Sequence, residues 1–172
     1  AAYTCPAIKN DAGHNPNKQL QLHPLPRPIP LKNNAIAVIR EFAPKAVLGP
    51  VYPKTRKGDV AHLMASTASQ QQQHRLARPG WFLFPRFKPT QALQTGILDP
   101  ATMFLKISSN SFNYRIQGGA GFTAVAKLAK YYAGYYLNYS DLAQALPWIE
   151  STHARIQDTQ NQRSLSFGKT SA

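Results

Sequence analysis

Fourteen of the 172 residues are proline, and their positions restrict where this chain can form helices and sheets. The densest run is residues 22–31, where every second residue from 24 to 30 is proline. Proline fixes φ and has no N–H to donate, so this run favours polyproline II over a helix or a sheet interior. It predicts an extended strip that docks on a partner through the intervening Leu25, Arg27 and Ile29. The alternative is an unattached linker.

The charge balance narrows the class of protein. Lys and Arg number 20 against 7 Asp and Glu, which gives a net charge of +13, yet charged residues make up only 16% of the chain. Ordinary soluble domains have about a quarter charged residues of both signs. The composition therefore disfavours a free-standing enzyme. It favours a component that lies against neighbours, or one that faces the phosphates of nucleic acid or lipid.

No pattern of catalytic, cofactor-binding or metal-binding residues is present, so we predict none of these sites and no enzymatic activity. The seven acids are scattered, and the histidines have no metal-ligand spacing with one another or with Cys5. Residues 118–121, Gly-Gly-Ala-Gly, lack the Lys-Ser/Thr of a phosphate-binding loop. The sequence has no window of 18 uninterrupted apolar residues, so no membrane-spanning helix is predicted. The chain begins Ala-Ala-Tyr, which a removed targeting sequence or a clipped N-terminus would explain.

Residues 118–139 contain five of the chain's eight tyrosines. The spacing of three and four residues predicts an amphipathic helix of about five turns. Its aromatic face would dock on a protein partner, on the chain's own core or on a lipid surface. That face contains Tyr132, Tyr135, Tyr136 and Tyr139, with Tyr131 beside it. Lys127 and Lys130 lie on the polar face, where they could contact phosphate or lipid headgroups.

Two further segments are candidate contact surfaces. Residues 79–89 combine aromatic and basic side chains between prolines, a mixture that suits a membrane interface, a nucleic-acid surface or a loop plugged into a core. The aromatic residues are Trp81, Phe82, Phe84 and Phe87, and the basic ones are Arg86 and Lys88. Near the N-terminus, Lys54, Arg56 and Lys57 form a small basic cluster that would contact phosphate or remain solvated.

The predicted fold is mostly α, with short helices joined by long extended proline-rich segments and little independent core. We expect helices over residues 35–42, 60–77, 100–107, 118–139 and 147–159. Asp99-Pro100 gives the clearest start signal, an N-cap followed by an N1 proline. Three regions result: an extended arm with one short helix at 1–58, a helical region at 59–158 and an extended tail at 159–172.

Residues 130–139, Lys-Tyr-Tyr-Ala-Gly-Tyr-Tyr-Leu-Asn-Tyr, resemble the tyrosine cluster of subunit f of mitochondrial ATP synthase. In that family a tyrosine-rich amphipathic helix lies against the membrane sector, ahead of a transmembrane helix. Residues 140–172 depart from that pattern, since they contain no predicted span. The resemblance implies a broad class, an accessory subunit of a mitochondrial inner-membrane complex.

The sequence therefore predicts a non-catalytic structural accessory subunit of ATP synthase or a respiratory complex, located in the mitochondrion and peripheral to the inner membrane. Its partners would be other protein subunits and, at the membrane surface, lipid headgroups. The alternative is a mitochondrial ribosomal protein that binds rRNA through basic extended arms. That alternative ranks second because the cations are spread singly through proline-rich chain rather than clustered.

Overall fold

The computed structural model describes residues 2–4 and 20–167. The helices and strands interleave in an α/β fold, so the prediction of a mostly α protein is wrong. The chain divides into two compact units, and the division falls between Arg78 and Pro79. The predicted boundary at 58/59 falls inside a strand, Gly58–Leu63. Residues 1, 5–19 and 168–172, which include parts of the predicted arm and tail, lie outside the described residues.

Unit 1 contains the elements before residue 79. These are β1 (Ala2–Thr4), β2 (His23–Leu25), β3 (Ile29–Lys32), α1 (Asn34–Phe42), β4 (Tyr52–Thr55), β5 (Gly58–Leu63) and α2 (Thr67–Gln71). Strand β1 pairs antiparallel with β2, and the order β3-β5-β4 forms a separate antiparallel sheet. Two backbone hydrogen bonds between Leu22 and Ala77, of 2.7 and 3.0 Å, join the segment before β2 to the segment after α2.

The proline run is not free polyproline II, because its two ends are strands. Pro24 lies in the two-stranded β1–β2 sheet, and Pro30 lies in β3 at the edge of the three-stranded sheet. An edge strand tolerates proline because its missing N–H faces away from the neighbouring strand. The helix predicted over residues 60–77 is also wrong. Residues 58–63 pair with β3 and β4 instead, and only Thr67–Gln71 is helical.

Unit 2 contains the elements from residue 79 onward. These are β6 (Trp81–Phe87), β7 (Gln94–Ile97), α3 (Pro100–Ser109), α4 (Tyr114–Tyr131), β8 (Ala133–Tyr139) and α5 (Leu142–Phe167). The sheet order is β6-β8-β7, with β6 parallel and β7 antiparallel to the central β8. The prolines of residues 79–89 do not prevent a seven-residue strand, because Pro85 lies in β6 at the edge of this sheet.

The prediction of a tyrosine-rich helix over residues 118–139 is correct only as far as Tyr131. Helix α4 ends at Tyr131, and Tyr132 has extended backbone, with φ −123° and ψ 144°. From Ala133 the chain is a strand, in which aromatic residues and a period of two replace the expected helical spacing. Helix α4 also begins earlier than predicted, at Tyr114 instead of residue 118.

Two other helices lie where the sequence predicts them, and the last helix is longer than predicted. Helix α1 and helix α3 confirm the predictions, and Asp99 caps α3 as expected. The last helix begins at Leu142, before Pro147, and continues to Phe167, so the extended tail predicted from residue 159 is wrong for the described residues.

The buried apolar side chains are concentrated in unit 2. Among the described residues, unit 1 buries Ile36 and Ala61, whereas unit 2 buries Met103, Ile107, Ala124, Val125, Leu128, Ala129, Leu137 and Ala145. Leu137, at the middle of the central strand β8, is 1% exposed. The expectation of little independent core therefore fits unit 1 and is wrong for unit 2.

Candidate functional site

One face of the unit 2 sheet presents two rows of polar and aromatic side chains. The strand register places Phe84 beside Tyr136 and Arg86 beside Asn138. Across the other edge, Gln94 pairs with Asn138, and Gly96 pairs with Tyr136. Because side chains of directly paired residues point to the same face, these residues lie together on one side of the sheet.

A groove of about 410 Å³ lies on this face. We call it the basic groove; its lining residues are Phe84, Arg86, Lys88, Gln94, Leu98, Lys106, Tyr136 and Asn138. Strands β6, β7 and β8 supply the floor, and α3 supplies Lys106. The residue after β6 is Lys88, whose backbone N–H donates to the Tyr139 carbonyl at 2.8 Å, so the chain is still held to β8 at that point.

The charges in the basic groove all have one sign. Three cations line it, Arg86, Lys88 and Lys106, and none of the lining residues is acidic. The Nζ of Lys106 lies 5.6 Å from the centroid of the Phe84 ring, a cation–π distance. Arg86 is exposed, whereas Lys88 and Lys106 are half-buried. Unbalanced cations held this way create a positive potential at which an anion would be stabilised.

A close approach between α3 and the sheet positions Lys106. A Cβ added to Gly134 would lie 2.7 Å from the Sδ of Met103, so a larger residue there would displace the Met103 side chain. Met103 is 1% exposed, and Ile107 is also buried. Lys106 lies three residues after Met103, on the same side of the helix. Anchoring Met103 against the sheet therefore brings Lys106 over the groove.

The start of α3 is fixed by its own cap. The Asp99 carboxylate accepts hydrogen bonds from the Thr102 backbone N–H at 2.9 Å and the Thr102 hydroxyl at 2.6 Å. The Thr102 side-chain bond, followed by the Thr102 backbone bond, lowers the pKa of Asp99 below its ordinary value of 3.8. Asp99 is thus ionised at neutral pH, and its charge serves the helix terminus rather than the groove.

Tyr136 occupies its place because Gly96 faces it. A Cβ on Gly96 would overlap the Tyr136 ring and approach its Cζ to 2.8 Å. The missing side chain on β7 therefore leaves room for the phenol to lie across the sheet. This is the second glycine that the groove requires.

The opposite face of the sheet packs on α5. The rings of Trp81 and Tyr135 meet edge to face at 5.7 Å, and Tyr135 meets Trp148 of α5 at 5.9 Å. The indole Nε1 of Trp81 donates to Nδ1 of His153 at 3.3 Å. These contacts use Trp81 and Tyr135, two of the predicted docking residues, to hold the unit together.

The other predicted aromatic docking residues are divided between surfaces. Tyr132 pairs with Phe82 at 6.3 Å, and Tyr139 pairs with Phe87 at 5.8 Å. Tyr131 is 68% exposed. Because Tyr135 and Tyr139 point to one face of β8 and Tyr136 to the other, the single tyrosine face expected of a helix does not form.

The predicted cations are also divided. Only Arg86 and Lys88 line the basic groove. Lys127 and Lys130 are exposed on α4, and Lys130 Nζ lies 5.3 Å from the Tyr131 ring centroid.

In unit 1 the predicted cations Lys54, Arg56 and Lys57 are exposed where β4 turns into β5. Lys54 has φ +53°, and its backbone N–H donates to the Asp59 carboxylate at 2.9 Å. Asp59 therefore orders this turn. Of the predicted strip, Leu25 is half-buried, while Arg27 and Ile29 are exposed.

Unit 2 exposes several large apolar side chains. Four large apolar side chains of α3, α4 and their connection are exposed, and we call them the apolar surface: Leu105, Phe112, Ile116 and Phe122. Phe112 is fully exposed and Ile116 is 82% exposed. Exposed apolar groups that gather into one patch are typical of surfaces that contact a partner.

Sequence reasoning missed four groove residues, Gln94, Leu98, Lys106 and Asn138. Lys106 alone carried a signal, since it lies three positions after the apolar Met103 in a helix that the sequence predicts. Its distance to Phe84 depends on the packing of α3, which periodicity does not give.

Within the described residues, no group of three or more His, Cys, Asp or Glu side chains could hold a metal ion. In that same part of the chain, no helix has both the length and the apolar character needed to cross a bilayer.

No family model, curated protein or solved structure matches this chain. Its function is therefore inferred from the geometry of the basic groove and the apolar surface.

Proposed function

We propose that this protein is a non-catalytic structural subunit of a larger hetero-oligomeric assembly. The observation that carries the proposal is the apolar surface: Phe112 is fully exposed, and Leu105, Ile116 and Phe122 are each more than half exposed. Exposing several such groups in water is unfavourable by about 25 cal/mol for each Å² of apolar area, so a partner that covers them gains free energy.

The setting that we propose for this assembly is mitochondrial: an accessory role in ATP synthase or a respiratory complex, peripheral to the inner membrane. The low acid content supports it, since a surface with few carboxylates suits a subunit surrounded by neighbours or facing anionic lipid headgroups. The resemblance of residues 130–139 to subunit f adds little support, because residues 133–139 form a strand and not the family's amphipathic helix.

A mitochondrial ribosomal protein is the second candidate, and the basic groove favours it. Three cations that line one groove without an acid are suited to rRNA phosphates. This clustering weakens the sequence argument that the cations are spread singly.

Sedimentation of the tagged protein from its native source tests the subunit proposal. We expect the protein to migrate with a high-mass assembly, and co-migration with ATP synthase, a respiratory complex or ribosomal subunits identifies the setting. Phe112→Gln with Ile116→Gln should shift most of the protein to low-mass fractions. The matched control, Arg115→Gln with Lys127→Gln, changes two exposed residues of α4 and should leave migration unchanged.

Two results would refute the subunit proposal. One is migration of the unaltered protein as a monomer. The other is equal retention of the Phe112→Gln/Ile116→Gln variant and its control in the assembly. Circular dichroism of both purified variants shows whether a loss of assembly merely reflects unfolding.

A further inference from the structure

We propose that the basic groove binds single-stranded nucleic acid, with phosphates on its three cations and bases against its aromatic floor. This binding does not require the protein to be a subunit of a larger assembly. Three independent features of the groove point to this class of ligand: its charge, its rings and its amide side chains.

The charge of the groove selects a polyanion. Arg86 and Lys88 come from the end of β6, and Lys106 approaches from α3 on another side of the same groove. Lys and Arg side chains are donors only, so together they offer ammonium and guanidinium N–H groups with no competing acceptor charge. A chain of phosphodiesters supplies several anions at regular spacing, which one carboxylate or a single phosphate does not.

The rings give the groove surfaces for bases. Phe84 and Tyr136 are neighbours across β6 and β8 and are both half-buried. Aromatic side chains set in a positively charged groove are the usual means of binding single strands, because every base has a flat face that can stack. Lys106 already lies over the Phe84 ring, so a base would stack by displacing this side chain toward a phosphate.

The amides of Gln94 and Asn138 complete the site. They pair across β7 and β8 and both line the groove. Each amide has donors and an acceptor, as do the edges of unpaired bases. In a duplex these edges lie inside the grooves of the helix, so amides on a sheet floor suit an unpaired strand better.

A lipid headgroup fits the groove less well. Membrane-surface binding by basic sites is strengthened by apolar side chains that insert into the bilayer. The apolar residues of this groove, Phe84, Leu98 and Tyr136, are half-buried and form its floor. None protrudes as Phe112 does. A small free nucleotide also fits less well, because small-molecule pockets are mostly apolar and enclose their ligand.

Fluorescence anisotropy with a labelled oligouridylate of about 12 nucleotides tests the proposal on the full chain, since that length spans one such binding site. The groove variant is Arg86→Gln/Lys88→Gln/Lys106→Gln. The matched control, Arg115→Gln/Lys127→Gln/Lys130→Gln, removes the same charge from exposed positions of α4. Titration across about 50–200 mM KCl measures how many phosphates are neutralised.

We expect the groove variant to bind about tenfold or more weakly than the unaltered protein. Its slope of log affinity against log salt should fall by about 2, which is about 0.7 for each of three lost phosphate contacts. The control should bind within about twofold of the unaltered protein. Phe84→Leu should weaken binding without changing the salt slope, because stacking does not release counterions.

Three results would overturn the proposal. Equal weakening of the groove and control variants would mean that the net charge of +13 binds RNA diffusely. Absence of oligouridylate binding at low salt would exclude the ligand class. Groove-dependent binding to vesicles of anionic and neutral phospholipid, without such binding to oligouridylate, would assign the site to lipid headgroups.

A single substitution keeps the test decisive if the triple variant fails to fold. Arg86 is exposed at the end of β6, so Arg86→Glu reverses one groove charge with little effect on packing. Arg115→Glu is its matched control on α4. Arg86→Glu must weaken oligouridylate binding more than Arg115→Glu does, and equal affinities of these two variants would refute the groove as the site.

Discussion

Each unit of this chain contains a three-stranded sheet, but the two units have very different cores. Among the described residues, unit 1 has two buried apolar side chains, Ile36 and Ala61, while unit 2 has eight. Each buried aliphatic side chain contributes about 1.5–3 kcal/mol, and this gain must offset the ordering of the backbone. A sheet alone thus does not make a stable unit; helices must cover it.

The difference suggests separate tasks for the units. Unit 2 is the part able to hold the basic groove in a fixed geometry, because α3 and α5 pack on opposite faces of its sheet. Unit 1 depends on local hydrogen bonds in its turns, and we expect it to open at lower denaturant concentration. Both tryptophans of the chain, Trp81 and Trp148, lie in unit 2, so their fluorescence follows that unit alone.

The largest effect is expected from Leu137→Ala. Leu137 is 1% exposed in the central strand, and removing its side chain should destabilise unit 2 by about 2–5 kcal/mol. Urea unfolding followed by tryptophan fluorescence measures this loss. Ile36→Ala is the comparison in unit 1 and should leave the tryptophan transition unchanged while raising hydrogen exchange in β3 and β5. If both variants shift the tryptophan transition equally, the units unfold as one and the contrast between them is incorrect.

Gly58→Ala should open unit 1 selectively. Gly58 has φ +83°, and an added Cβ would meet the Asn33 side chain, whose Cγ would be 2.9 Å away. Asn33 Oδ1 accepts the Asp59 N–H at 3.0 Å, so the clash also disturbs a bond that fixes the β4–β5 turn. We expect a loss of about 2–3 kcal/mol, seen as faster amide exchange in β5.

Gly49→Ala is the control for this substitution. It has no positive φ, and its Cβ would lie at an ordinary 3.6 Å from the His62 carbonyl oxygen. It should leave amide exchange in β5 nearly unchanged. An equal effect from both substitutions would show that the Gly58 conformation is unimportant.

Two adjacent glycines of α4 make a sharper test within unit 2. Gly118 has φ +50° and ψ −129°, a non-helical conformation at a kink, whereas Gly119 has no positive φ, and neither has any atom within 4 Å of an added Cβ. Gly118→Ala should therefore destabilise unit 2 by about 1–2 kcal/mol through the backbone alone. Gly119→Ala should stabilise it by about 0.5–1 kcal/mol. The tryptophan transition measures both, and opposite signs are required.

Local signals predicted the helices better than the strands. Asp99-Pro100 fixes the start of α3 with neighbouring residues only, and the structure follows it. Strand β8 could not be found this way, because it is a strand only through pairing with β6, about 50 residues earlier, and β7. The three- and four-residue spacing of the tyrosines fits one face of a helix. The same residues also fit a strand, in which Tyr135 and Tyr139 lie on one face and Tyr136 lies on the other.

The basic groove was predictable only in part for the same reason. The mixture of rings and cations in residues 79–89 marked β6 as a contact surface, and Phe84, Arg86 and Lys88 do line the groove. Lys106 joins them because Gly134 lets Met103 approach the sheet, a contact between residues 31 positions apart. Residue spacing cannot predict a contact between residues so far apart in the sequence, whereas it can predict a helix cap, which neighbouring residues form.

The smallest effect is expected from Asp99, and its sign depends on pH. Its folded-state pKa is lowered below 3.8, chiefly by the Thr102 side-chain hydrogen bond, so ionised Asp99 favours the folded state. This stabilisation is fully present above about pH 3.8 and is lost as the pH falls through the lowered folded-state pKa.

Asp99→Ala should lower the melting temperature of unit 2 by a few degrees at neutral pH, because it removes the cap of α3. Asp99→Asn keeps an acceptor for the Thr102 N–H without a titrating group, so the unaltered protein should lose stability relative to this variant only in acid. Thermal melts followed by tryptophan fluorescence between neutral pH and the acid limit measure both differences. A gap between the unaltered protein and Asp99→Ala that stays constant into acid would show that the charge of Asp99 does not stabilise the helix that positions Lys106.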